Sequence, residues 1–175
     1  MVGTKTLADT FTGVRFLLAF YLMWLGWQEG PEAIVPATLT LLVAWTTDAL
    51  DGPLARRDPR DITTWIGERD LEADVAIGLG VCVYLTLAGL LSPWLTVAYT
   101  LVAAAALWRF ESDQMAWGVQ ALPYGMMIWT SWQLAPTYGL LLVAWILLAV
   151  VATWPRFPRS TVPDFLDGMR SLLQR

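Results

Sequence analysis

Six apolar stretches, each near the length needed to cross a bilayer, follow one another along this 175-residue chain. They run from about Thr12 to Gln28, Ala33 to Leu50, Asp70 to Leu91, Pro93 to Phe110, Gln114 to Trp132 and Thr137 to Trp154. A helical crossing takes about 20 predominantly apolar residues. Hydrocarbon offers no water to satisfy an open strand edge or a loop. The pattern therefore predicts an all-α integral membrane protein of six transmembrane helices, one domain over residues 1–175. Gly30-Pro31, Ser92-Pro93 and Ala135-Pro136 punctuate the stretches as turn signals. Pro123, inside the fifth, is expected to kink it. Composition agrees: 57% of residues are apolar or aromatic and 15% charged, against about 45–50% and about 25% in soluble domains. A disordered chain, a soluble globule and a basic nucleic-acid-binding domain are excluded.

Charge distribution sets the expected orientation. With the N-terminus in the cytoplasm, Lys5, Arg15, Arg56, Arg57, Arg60, Arg69, Arg109, Arg156, Arg159, Arg170 and Arg175 all lie inside, and only Glu29 and Glu32 charge the outer loops. Residues 1–11 form a short cytoplasmic segment and 155–175 a cytoplasmic interfacial tail. The first apolar run lacks a small-residue cleavage site and reads as a retained span. In the tail, Asp164 can cap an amphipathic helix that places Phe165, Leu166, Met169, Leu172 and Leu173 on one side. Trp27, Trp94, Trp132 and Trp154 fall near span ends, where amphipathic rings favour the headgroup zone. The absence of histidine excludes Ser-His-Asp and Cys-His nucleophilic sites and His-ligated metals, and the single Cys82 excludes a disulfide framework.

The chemically informative stretch is Thr46 to Asp74. Asp48 and Asp51, three apart at the inner end of the second span, share a helix face, as do Asp70 and Asp74, four apart at the start of the third. Carboxylates at membrane depth are costly when unpaired, and several converging on one site repel strongly unless a cation neutralises them. Oxygen ligands without imidazole or thiolate favour Mg²⁺ or Mn²⁺. Two facing carboxylate pairs could hold two such ions about 4 Å apart, a clamp suited to displacement at phosphorus. Gly52 leaves the backbone bare for a close ligand, Ala55 leaves space, and Arg56 offers a donor fork for a phosphate.

Asp48-x-x-Asp51-Gly52-x-x-Ala55-Arg56, followed by Gly67 and Asp70-x-x-x-Asp74, resembles the signature of the CDP-alcohol phosphatidyltransferases. That signature reads D-x-x-D-G-x-x-A-R, then G-x-x-x-D-x-x-x-D. Seven of its eight fixed residues match in order, and Gly67 stands three residues before Asp70 instead of four. Asp9-Thr10-Phe11-Thr12-Gly13-Val14-Arg15 is similar to the N-x-L-T-x-x-R with which the family opens its first helix. The resemblance implies that Asp48, Asp51 and Asp70 bind the metals, with Asp74 also near one and serving as general base. It implies that Gly52, Ala55 and Arg56 line the cytidine diphosphate site, and that an alcohol attacks the β-phosphorus of a CDP-linked lipid to release CMP in phospholipid biosynthesis. A homodimer is implied too, with Ala76/Gly80 and Gly78/Cys82 as a possible small-residue seam.

The wording TDALDGPLARR is similar to the phosphatidylglycerophosphate synthase branch, although Leu71 and Val75 stand where that branch usually has Pro and Lys. The expected partners are a CDP-linked lipid donor, membrane lipids and a small polar alcohol such as glycerol 3-phosphate or an inositol derivative. Arg109 and, second, Arg15 are the cations that could meet a phosphorylated acceptor. The competing readings are an intramembrane diphosphate-using prenyltransferase and a non-catalytic membrane scaffold. Prenyltransferases of that kind place their two aspartate motifs far apart, whereas here both pairs lie between Asp48 and Asp74.

Overall fold

The computed structural model describes residues 4–55, 69–110, 112–155 and 157–173. Their regular structure is helical throughout. The apolar stretches become α1 (Thr4–Gln28), α2 (Ile34–Ala55), α3 (Asp70–Leu87), α4 (Pro93–Phe110), α5 (Asp113–Leu134) and α6 (Pro136–Ala152), and a shorter α7 (Val162–Leu173) follows. Several boundaries differ from expectation, among them the end of α2, which runs on to Ala55 past Leu50. No Pro or Gly interrupts Thr4–Phe11, so α1 begins there and not at Thr12. The third helix ends at Leu87 because Gly89 turns the chain at φ +72°, a region that side-chain-bearing residues avoid. Asp164 lies within the first turn of α7 and does not cap it, although its charge still suits the positive end of the helix.

Two stretches, Asp9–Gln28 and Gly30–Asp51, are long and apolar enough to cross a bilayer, and a bent pair, Pro136–Ala152 with Phe157–Gly168, would make a third. Length and composition thus qualify two to three crossings, not the six expected. The shortfall has physical causes. The third helix opens on Asp70, Glu72 and Asp74, and the 17 residues of α6 reach only about 26 Å at ~1.5 Å each. The outer surface nonetheless suits lipid: Trp94 and Trp108 are 82% and 83% exposed, and Leu17, Leu101, Val102 and Val151 also face outward. Apolar exposure on this scale is a liability in water and natural against acyl chains. Trp27, Trp132 and Trp154 are exposed as well, as belt residues should be.

The core forms where α1 packs on α2 and α3, with α5 and α6 completing it around Leu22, Leu41, Ile77, Val81, Met127 and Leu142. Two glycines let the backbones of α1 and α3 approach closely. A Cβ at Gly80 would lie 2.9 Å from the Ala19 carbonyl oxygen, and one at Gly26 would lie 3.0 Å from the Tyr84 Cα. Gly78 packs in turn toward Pro123 and Gln120 of α5, and Cys82 is buried. The small-residue seam expected at a dimer interface is therefore spent inside the subunit.

Pro123 is accommodated within α5 by a neighbour. Proline carries no N–H for the carbonyl four residues back, and that carbonyl, of Val119, accepts instead from the Tyr99 hydroxyl of α4 at 2.7 Å. Across the bundle, Thr38 of α2 meets Ser131 of α5 through their hydroxyls at 2.7 Å, while Trp45 of α2 meets Tyr124 of α5. The two helices are thus antiparallel. By contrast Thr12–Asp70 and Ala19–Gly80 advance together, so α1 and α3 are parallel. This alternation brings the start of α1, the end of α2 and the start of α3 to one end of the bundle.

Candidate active site

That end of the bundle gathers the acidic residues. Asp48 and Asp51 come from the last turns of α2, Asp70 and Asp74 from the first turns of α3, and Thr12 and Arg15 from α1. The close α1–α3 approach at Ala19–Gly80 sets the register, one turn beyond Arg15. The Arg15 side chain is 1% exposed. Its guanidinium pairs with Asp48 at 2.8 Å and also with Asp51, Asp70 and Asp74. The Thr12 hydroxyl donates to Asp70 at 3.2 Å. Four carboxylates from two helices thus surround a single cationic group, and only an embedded positive charge makes such convergence tolerable.

The same oxygens fit a metal ion. Asp48, Asp70 and Asp74 each offer one carboxylate oxygen, and the three lie within 4.8 Å of one another. An all-oxygen set with negative charge is the donor chemistry of hard divalent cations. Asp51 approaches the cluster from the adjacent turn through Arg15.

Beside the cluster, a cavity of about 410 Å³ opens among α1, α2, α3, α5 and α6. Arg15, Asp48 and Asp74 form its polar end, and Trp45, Tyr124 and Trp145 its aromatic walls. Trp45 meets the Tyr124 ring edge-on at 5.3 Å and the Trp145 ring at 5.6 Å. The Tyr124 hydroxyl donates to the Asp74 backbone carbonyl at 3.4 Å, with Gln120 Oε1 also within reach at 3.3 Å. Gln120 lines the cavity too.

Of the residues singled out from sequence, Asp48, Asp51, Asp70, Asp74 and Arg15 come together. Arg15 was expected against an acceptor phosphate; it sits instead at the centre of the carboxylates and reaches the cavity from there. Arg109, in the last turn of α4, lies over the Phe110 ring at 5.3 Å and does not line the cavity. Gly52 and Ala55 continue α2 beyond Asp51, whereas Arg56 and Gly67 lie outside the described residues. Sequence reading missed Thr12 as an Asp70 partner and missed Gln120, Tyr124 and Trp45 altogether. A signal existed for Gln120: an amide inside an apolar helix has to face the bundle interior or a polar cavity.

No curated protein and no solved structure matches the chain. The family profile for CDP-alcohol phosphatidyltransferase matches residues 5–157, which include every helix that builds the site. The match favours the transferase over the prenyltransferase and scaffold readings. Apolar helices, the carboxylate cluster and this match agree, and the chain belongs to the CDP-alcohol phosphatidyltransferase family, membrane transferases of substituted phosphate groups that move a phosphatidyl group from a CDP-alcohol to an acceptor.

Proposed function

We propose that this protein is a Mg²⁺- or Mn²⁺-dependent transferase that moves a phosphatidyl or related lipid phosphoryl group from a CDP-linked lipid to an alcohol, releasing CMP. The observation that carries this reading is the convergence of the α2 and α3 carboxylates on one cation position next to a cavity. Asp48, Asp51 and Asp70 would hold the metal, with Asp74 beside it. Bound there, the metal would neutralise the diphosphate and ease departure of CMP. Gly52, Ala55 and Arg56 are proposed for the cytidine diphosphate side, the direction in which α2 continues past Asp51.

Asp74 faces the cavity and is the proposed general base. It takes the proton of the alcohol hydroxyl as that oxygen bonds to the β-phosphorus. The bond from the β-phosphorus to the bridging oxygen breaks, and CMP leaves with the electron pair. An alcohol is a poor nucleophile at neutral pH, so a carboxylate within reach of its proton accelerates the attack. The proposal includes six crossings, with the active site and both termini cytoplasmic, on the strength of the basic-residue partition. The homodimer rests on family resemblance, and the mass of the protein in lipid discs tests it. The reaction itself is tested by CMP release from CDP-diacylglycerol by purified protein with Mg²⁺ or Mn²⁺. Release that depends on metal and acceptor supports the reading, and intact donor under all conditions refutes it.

A further inference from the structure

The four carboxylates do not share the cavity equally. Asp48 and Asp74 line it, whereas Asp51 and Asp70 do not. The cavity thus lies on the general-base side of the cluster and away from the α2 continuation proposed for the nucleotide. Its chemistry is specific. Gln120 is 7% exposed, and its Nε2 has no hydrogen-bond partner among the described residues. A buried amide donor without a partner is costly, and native proteins keep one where a ligand or water accepts from it. Around it the walls are the rings of Trp45, Tyr124 and Trp145, with Ile77 and Ile128. Arg15 is the one cation lining the cavity among the described residues, and the carboxylates already engage it. With a metal on the carboxylates committed to the donor diphosphate, an acceptor phosphate placed here would have Arg15 alone among the described lining residues to meet its charge.

Resting on the transferase reading above, we propose that this cavity binds the acceptor, that the acceptor is an uncharged alcohol, and that Gln120 Nε2 donates a hydrogen bond to one of its oxygens. The aromatic walls then pack against the carbon skeleton while the reacting hydroxyl points at Asp74. Ring faces and one amide donor suit a neutral polyol; anion recognition calls for charged forks. The inference runs against glycerol 3-phosphate and inositol phosphates, and it explains why Arg109 lies off the cavity.

The test is a CMP-release assay with CDP-diacylglycerol and Mg²⁺ or Mn²⁺, comparing glycerol and myo-inositol with glycerol 3-phosphate and inositol 3-phosphate at equal concentration. A neutral acceptor should exceed its own phosphate at least about tenfold in kcat/KM, the size of effect set by leaving buried polar groups mispaired. Gln120→Leu, similar in volume, should raise the KM for that acceptor by about three- to tenfold, one hydrogen bond's worth, with the KM for CDP-diacylglycerol unchanged. Preference for the phosphorylated acceptors overturns the inference while leaving the transferase reading intact. So does a Gln120→Leu protein whose acceptor KM equals the parent's. Should Gln120→Leu fail to fold, the acceptor comparison on the parent protein decides alone. Absence of CMP release with every acceptor overturns the transferase reading and this inference with it.

Discussion

Replacing Tyr99 by Phe removes one oxygen and isolates one carbonyl. The Tyr99 hydroxyl donates at 2.7 Å to Val119 O, the acceptor that Pro123, lacking an N–H, leaves unserved within α5. A buried carbonyl left without a donor costs about 1–3 kcal/mol. The bond is only partly buried, so the lower part of that range applies, about 1–2 kcal/mol. The argument gains force from the second change. Pro123→Ala restores an N–H four residues beyond Val119, which can close the normal intrahelical bond. In that background Tyr99→Phe should cost only the net value of a redundant bond, about 0.5 kcal/mol. The double-mutant cycle therefore predicts a coupling of about 1 kcal/mol between two residues on different helices. Packing lost with the proline ring near Gly78 appears in both arms and cancels. Equilibrium unfolding in mixed detergent micelles measures all four proteins. Equal costs of Tyr99→Phe in the two backgrounds, within about 0.3 kcal/mol, would show that the hydroxyl does not serve the carbonyl freed by the proline.

Asp74→Asn is expected to slow CMP release by about 10²–10⁴ while retained donor affinity, read by binding of a non-reactive CDP-lipid analogue, separates base from ligand. Turnover within about threefold of the parent, well short of a general-base contribution, assigns the proton transfer elsewhere. Gly80→Val should destabilise the protein by about 1–3 kcal/mol through overpacking, because its Cβ would meet the Ala19 carbonyl oxygen at 2.9 Å; thermal unfolding checks this, and an unchanged midpoint contradicts the close α1–α3 approach. Chelation with EDTA should abolish turnover and added Mg²⁺ or Mn²⁺ should restore it; activity that persists after exhaustive chelation removes the metal from the proposal. Cysteine placed at position 109 should react with impermeant thiol reagents only from the cytoplasmic side, and labelling from outside reverses the topology.

Much of the architecture was legible because membrane solvation acts on sequence directly. Long apolar runs bounded by turn residues favour helices, and the six stretches became six helices with turns at Gly30, Ser92 and Ala135 close to where the punctuation put them. Helix ends were less legible, since they depend on local stops: the polar Thr4–Phe11 segment contains none, and Gly89 ends α3 early. The aspartates could be paired from spacing, because residues three or four apart share a helix face whatever the fold. Which faces meet is a tertiary question. Only packing showed that the Ala76–Cys82 glycines serve contacts inside the subunit, because closeness between α1 and α3 depends on Ala19 lying opposite Gly80. Only packing put Arg15 among the four carboxylates, through residues more than thirty positions apart in the chain. Gln120, Tyr124 and Trp45 lie outside the signature and share a site with Asp74 only because α5 runs antiparallel to α2 and beside α3. The sequence by itself determined a helical membrane chain with two carboxylate pairs, since hydrophobicity and helical periodicity are local properties. The tertiary structure decided what stands opposite those pairs, because a cavity is made by side chains from several helices and belongs to none of them alone.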